Sequence, residues 1–204
     1  MLQRIKQLIA RFGKREDGAA AVEFALIMPV LLTLYFGSLE ASALLTADKR
    51  VNTISSTVGD LIAQWDPDDG KIPAATLTAY FDAAKGIIAP YATSGVKQVV
   101  SLVFVKSDGT TKVLWSSQNG GGTARTVGQP YTPLLSTSMT NQVARGGCIV
   151  AAETSYSYKP VLGQVFKNAL NLGHTNYFIP RYGATGVINL STTSWGSTAC
   201  TTGS

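Results

Sequence analysis

Arg15–Ser42 reads REDGAAAVEFALIMPVLLTLYFGSLEAS, a basic-acidic junction at Gly18 followed by an apolar run that carries one carboxylate, Glu23, in its first turns. From Ala19 to Phe36 the run matches the ~18 to 20 residues that cross a hydrocarbon core at about 1.5 Å per residue, and Gly37–Leu45 extends the pattern. The stretch predicts a membrane-spanning helix, and everything else in the chain is placed by it.

A carboxylate in such a helix costs about 2.5 to 3.5 kcal/mol at mid-membrane and less near an end. Two readings of Glu23 follow. In one it snorkels to the nearby interface. In the other it pairs with a positive charge made close by: a cut after Gly18 would give Ala19 an amino group, mostly protonated near neutral pH at a reference pKa of about 8. Ala19 and Glu23 are four apart, one helical turn, so the pair forms within one chain or between neighbouring helices in lipid, where an unpaired charge is most costly.

Gly18 followed by AAAVE, with glutamate fifth after the glycine, resembles the processing site of type IV prepilins, and Arg15–Ser42 as a whole is similar to the TadE-like (TadE/TadF/TadG) segment of tight-adherence, or Flp, pilus systems. The resemblance implies that a membrane aspartyl protease, the prepilin peptidase, cuts after Gly18. It makes Ala19 the new N-terminus and Glu23 the glutamate that guides helix assembly. The implied product is a minor pilin or pseudopilin. Flp major pilins usually carry Glu-Tyr where this chain has Glu23-Phe24, and they are far shorter, so the bulk fibre subunit is not what is implied. The large von Willebrand-like insertion of many TadG members has no room in 204 residues. Pro29 lies earlier than the familiar proline of type IVa pilins; locally it removes one backbone hydrogen bond and favours a kink.

Charge fixes the expected topology independently. Arg4, Lys6, Arg11, Lys14 and Arg15 precede the run against only Glu16 and Asp17, and this excess of Lys and Arg keeps its side of the span in the cytoplasm. A secretory signal peptide fits less well, because the basic region is long and the apolar stretch exceeds ~7 to 15 residues. The mild amphipathic pattern of Leu2, Ile5, Leu8 and Ile9 suits a solvated or surface-lying leader. The formal net charge of +5 is partly in this leader. No Lys or Arg stripe interleaved with aromatics appears downstream, which argues against nucleic-acid binding. The roughly 160 residues beyond the span suffice for one domain.

Both cysteines, Cys148 and Cys200, fall on the side expected to face an oxidising compartment, and a disulfide between them is expected. It would close a loop of about 50 residues, worth on the order of 4 kcal/mol in the chain-entropy model. With the single His174 they lack the spacing of zinc ligands. No nucleophile elbow, metal-binding helix or glycine-rich cofactor fingerprint occurs, so neither an enzyme nor a cofactor is expected. His174, between Gly173 and Thr175, reads as a turn residue rather than a base. Glu153 lies in an apolar strand, either inward or at an exposed edge. Tyr156, Tyr158, Tyr177, Phe178 and Tyr182 read as sheet packing, with a contact surface as the alternative.

Beyond the span, Leu44, Val51, Ile54, Val58, Leu61, Ile62 and Trp65 keep helical spacing, with Asp48, Lys49, Arg50 and Asn52 on the other side, so the span is expected to continue as an amphipathic helix. Asp66–Gly70 supplies turn chemistry, without the ligand spacing of a calcium loop. Pro73–Ile88 reads as a second helix with Leu77, Phe81, Ala84 and Ile88 on one face. Val96–Lys106 and Thr111–Ser116 flank Ser107-Asp108-Gly109-Thr110 as a hairpin. Asn119–Gly128 reads as an exposed glycine-rich loop that lacks the Lys and spacing of a phosphate-binding loop. Gly147–Tyr158 reads as a strand, Pro160–Leu172 as a short helix, and Asn176–Leu190 as the last strands, with Pro180 and Gly183 at a turn or edge.

The expected fold class is α+β: a long N-terminal transmembrane helix running into a periplasmic pilin-like domain with a mostly antiparallel sheet. Residues 1–18 form a basic cytoplasmic leader, 19–45 the transmembrane helix and 46–204 the periplasmic or extracellular domain. The expected location is the inner membrane, single-pass, with passage to an extracellular pilus after assembly. Expected partners are the prepilin peptidase, other minor pilins and the major Flp pilin, the inner-membrane assembly platform, and membrane lipid. The expected work is initiation, assembly or tip formation of a tight-adherence pilus. An uncleaved inner-membrane scaffold and a tip-borne adhesin are the alternatives.

Overall fold

The computed structural model describes residues 17–65, 72–132, 146–160, 163 and 168–181. The elements run α1 (Asp17–Ala63), α2 (Ala74–Lys85), β1 (Val96–Val105), β2 (Thr111–Asn119), β3 (Gly147–Tyr158) and β4 (Leu170–Phe178), with short 3-10 turns at Gly86–Ile88 and Thr93–Gly95. A long apolar helix followed by an antiparallel four-stranded sheet makes the chain α+β, as its periodicities predict. The chain divides into two compact units, one of Met1–Leu44 with Pro160–Asn168, the other of Leu45–Lys159 with Ala169–Ser204.

In the second unit the strands lie in the order β2-β1-β3-β4, every pair antiparallel. The β1–β2 hairpin forms because Asp108 accepts from the backbone N–H and the hydroxyl of Thr110, at 2.8 and 2.7 Å, and Gly109 takes a positive φ of 87°. These bonds hold the Asp108 carboxyl below the usual carboxylate range. The pairing slips between Leu102 and Val103: Leu102 faces Trp115 and Val103 faces Val113, which leaves Leu114 as the extra residue of a bulge.

One face of the sheet is covered by the C-terminal part of α1. Val51, Ile54, Val58 and Ile62 are buried at helical spacing, and each contributes ~1.5 to 3 kcal/mol when removed from water. Their approach is close at Gly59, where an added Cβ would overlap the ring of Phe178 and lie 3.0 Å from the Cβ of Ala152. Ser55 Oγ donates to the carbonyl of Ala152 at 2.6 Å. Along β4 three polar contacts join the same helix: His174 Nε2 with Asp48 at 2.8 Å, Asn176 with the Asn52 side chain at 2.8 Å and, just past the strand, Arg181 with Asp60 at 2.7 Å. The second helix buries Leu77, Phe81 and Ala84, with Ile88 just beyond it, and its end is tied to α1 by Arg50, which donates to the carbonyls of Ile87 and Ala89.

The opposite face carries Val103, Val105, Val113, Ile149 and Ala151, and it is covered by Tyr131, which is fully buried, with Val127 beside it. This second layer belongs to the irregular segment after β2.

Three sequence expectations are corrected. Leu170–Leu172, expected at the end of a short helix, begins β4, and the last described strand starts six residues before Asn176. The alternation of Leu170, Leu172 and the residues after it, with one face against α1, outweighs the weak helical spacing of this stretch. His174 is not a turn residue: it sits mid-strand, held by Asp48. Asn119, expected in the loop, ends β2. The Asp66–Gly70 turn, Gly183 and Tyr182 lie outside the described residues.

Candidate functional site

The sequence-predicted site residues Gly18, Ala19 and Glu23 all lie on α1, in its first turns, and all are exposed. From Val22 to Leu39 the large apolar side chains are exposed on every side of the helix: Phe24 at 57%, Leu26 at 73%, Leu34 at 66%. A helix apolar all round and unburied is the pattern of a lipid-facing element rather than of a core helix. This is the one described helix long and apolar enough to cross a membrane.

Within the exposed stretch from Ala19 to Leu39, Thr33 and Ser38 bond locally. Thr33 Oγ1 donates to the carbonyl of Pro29 at 2.8 Å, and Ser38 Oγ donates to that of Tyr35 at 2.7 Å. Both hydroxyls thereby satisfy themselves inside the helix, as an apolar medium demands. Glu23 has no hydrogen-bond or ion-pair partner among the described residues. It stands about 6 Å along the axis from Ala19, one turn of helix. Pro29 sits inside α1 without ending it.

A second polar constellation lies on the far face of the sheet. Arg125 Nε donates to Glu153 Oε1 at 2.9 Å and its Nη2 pairs with Oε2, a two-pronged contact, while Tyr131 Oη donates to the same Oε1 at 2.9 Å. The guanidinium lies 5.8 Å from the centre of the Tyr131 ring, and Tyr177 meets that ring edge-on at 6.4 Å. The hydrogen bond to Glu153 raises the Arg125 pKa. Burial, with the negative charge of Glu153 behind it, pushes the Tyr131 phenol well above its ordinary value. Glu153 is therefore an inward carboxylate on a central strand, with 15% of its side chain exposed, and not an exposed edge residue.

The sequence carries a signal for this cluster that belongs to no motif. Glu153 is the lone carboxylate of an apolar strand and Arg125 the lone charge of the glycine-rich loop, and a charge held in an apolar strand requires a counter-charge. What no spacing shows is that 28 residues of chain bring them together. The Glu153 carboxylate is occupied on both oxygens. No group of three or more His, Cys, Asp or Glu able to hold a metal occurs among the described residues. Tyr156 and Tyr158 are buried, and Tyr177 and Phe178 half-buried, in keeping with sheet packing. Cys148, in β3, is disulfide-bonded; Cys200 lies outside the described residues.

An exposed apolar N-terminal helix joined to an antiparallel sheet defines the class: an α+β protein whose first helix fits a membrane anchor. Within it, residues 18–58 match the family model of TadE-like proteins, which agrees with the resemblance read from Arg15–Ser42 and carries it past the apolar run into the part of α1 that covers the sheet. Comparisons with curated proteins and with solved structures give no match. The match, which spans 41 of the 204 residues, is a similarity to TadE-like proteins over the first helix.

Proposed function

We propose that this protein is a minor pilin or pseudopilin that assists initiation, assembly or tip formation of a tight-adherence pilus, and that it acts by helix association and not by chemistry. The observation that carries the reading is one carboxylate, Glu23, without a partner among the described residues, in the exposed apolar stretch of α1 from Ala19 to Phe36, five residues after Gly18. Lys and Arg hold the leader in the cytoplasm. The prepilin peptidase cuts after Gly18, and the Ala19 amine gives Glu23, or the Glu23 of a neighbouring helix, its counter-charge. In lipid such a pair forms far more readily than two separate charges persist, so it selects helices at matching depth. The domain beyond Leu45 then faces the periplasm, where the oxidising setting suits a Cys148–Cys200 disulfide.

Two experiments test this. Mass spectrometry of membrane-extracted protein from cells with and without the peptidase should show a chain starting at Ala19 only when the enzyme is present; an intact leader in both strains would leave a fixed membrane scaffold instead. The Glu23→Gln variant should insert normally and lower pilus number or length. Unchanged pili in that variant would remove the role given to Glu23.

A further inference from the structure

Residues 120–131 have no helix or strand of their own, yet they supply the whole described cover of one sheet face. Their attachment is specific. Val113, on edge strand β2, exchanges two backbone bonds with them, its N–H donating to the carbonyl of Gln129 and its carbonyl accepting from the N–H of Gly128, both at 2.8 Å. Side chains of the same strand take further backbone donors: Gln118 Oε1 from Ala124 at 2.6 Å, Ser116 Oγ from Arg125 at 2.9 Å and Thr111 Oγ1 from Tyr131 at 3.1 Å. The segment leaves β2 through Gly120, whose φ is +66° and where a Cβ would collide with the carbonyl of Val96, and it turns again at Gly128, φ +83°.

The balance of these contacts differs from that of the sheet. Apart from Tyr131 and Val127, the segment is anchored by polar bonds near the surface, and most of its residues are exposed or half-buried, whereas β1 and β3 are buried along nearly their whole length. Regions with few buried apolar contacts open at lower free energy than the elements they cover. The only ion pair that joins the segment to a central strand is Arg125–Glu153 among the described residues.

We propose that residues 120–131 form a strap that opens as a unit while the sheet stays folded, with the Arg125–Glu153 pair as its latch. Closed, the strap occupies the outward N–H and carbonyl of Val113 and shields the apolar face of Val103, Val105 and Ile149. An edge strand left unoccupied is a template for another strand, so the latch decides when β2 is available to pair. Glu153 serves here as a positioning residue, holding Arg125 and Tyr131 together.

Hydrogen–deuterium exchange of the full chain in lipid nanodiscs tests this at the amides of Val113, Ala124, Arg125, Gly128 and Tyr131. In the unaltered protein they should exchange together, at least tenfold faster than the amides pairing β1 with β3, and at rates insensitive to low urea. Arg125→Gln should accelerate the same amides about tenfold further and leave the β1–β3 amides unchanged. Equal rates for strap and central strands in the unaltered protein would show one cooperative body and overturn the proposal. So would a uniform acceleration, or none, in Arg125→Gln.

Discussion

Replacing Gly59 by alanine sets two known effects against each other. In a helix interior alanine is favoured over glycine by about 1 kcal/mol, so on an open surface the change would stabilise the protein. Gly59 is buried between α1 and the sheet, and the new methyl would overlap the Phe178 ring and lie 3.0 Å from the Ala152 Cβ. Phe178 ends edge strand β4 and is half-buried, so its ring has some room to turn; Ala152 is on central strand β3 and has none. Forcing a methyl into such a contact costs ~1 to 3 kcal/mol. The net expectation is a loss of about 1 kcal/mol, and Gly59→Val should lose more because it adds bulk and a β-branch together. The assay is urea denaturation of the full chain in detergent, followed by the fluorescence of Trp115, which is buried in β2. Phe178→Ala supplies the internal check: with the ring gone, Gly59→Ala should cost less than it does in its presence. A Gly59→Ala protein more stable than the original by ~1 kcal/mol would refute the close approach of helix and sheet.

Gln98 is 1% exposed on β1, and neither its Nε2 nor its Oε1 has a partner among the described residues, so Gln98→Leu should hold or raise stability by ~1 kcal/mol; a loss above ~1 kcal/mol in the same denaturation assay would count against an unsatisfied amide there. The Tyr131 phenol is raised in the folded protein relative to its unfolded value of about 10, so its stabilising contribution is complete below pH ~10 and is lost as the pH climbs beyond that, where the unfolded chain releases the proton first. Tyr131→Phe should therefore be less stable at pH 8, by ~1.5 to 3 kcal/mol for the lost bond to a carboxylate, and should show a shallower fall in stability between pH 10 and 11. Identical pH slopes for the two proteins would contradict the assignment.

The elements with strong local patterns were legible before any coordinates: the apolar run, the helical spacing from Val51 to Ile62, the Ser107–Thr110 turn and the β-rich Gly147–Tyr158 each state their own structure. Leu170–Phe178 was not, because Leu, Asn, Gly, His and Thr have no common preference and the strand is defined by what α1 offers it, Asp48 to His174 and Asn52 to Asn176. The Gly18–Glu23 spacing is local in sequence, and the role proposed for it rests on that spacing and on the exposure of the helix. The Arg125–Glu153–Tyr131 cluster was not legible, because its members come from a loop, a central strand and the residue that plugs the sheet's second face. Their meeting depends on strand order, and no local rule fixes that order.

α1 also bears on how the domain could be obtained without its anchor. The buried row from Ala47 to Ala63 is one wall of the domain's interior, so a fragment trimmed to begin after the helix, at Ile72 for instance, would lack that wall and leave Val100, Leu102 and Ala152 facing water. A soluble fragment has to keep the chain from about Leu45, where the second compact unit starts, although that start lies in the middle of an unbroken helix and carries no glycine, proline or loop to mark it. The natural place to cut, for anyone guided by secondary structure alone, is the wrong one.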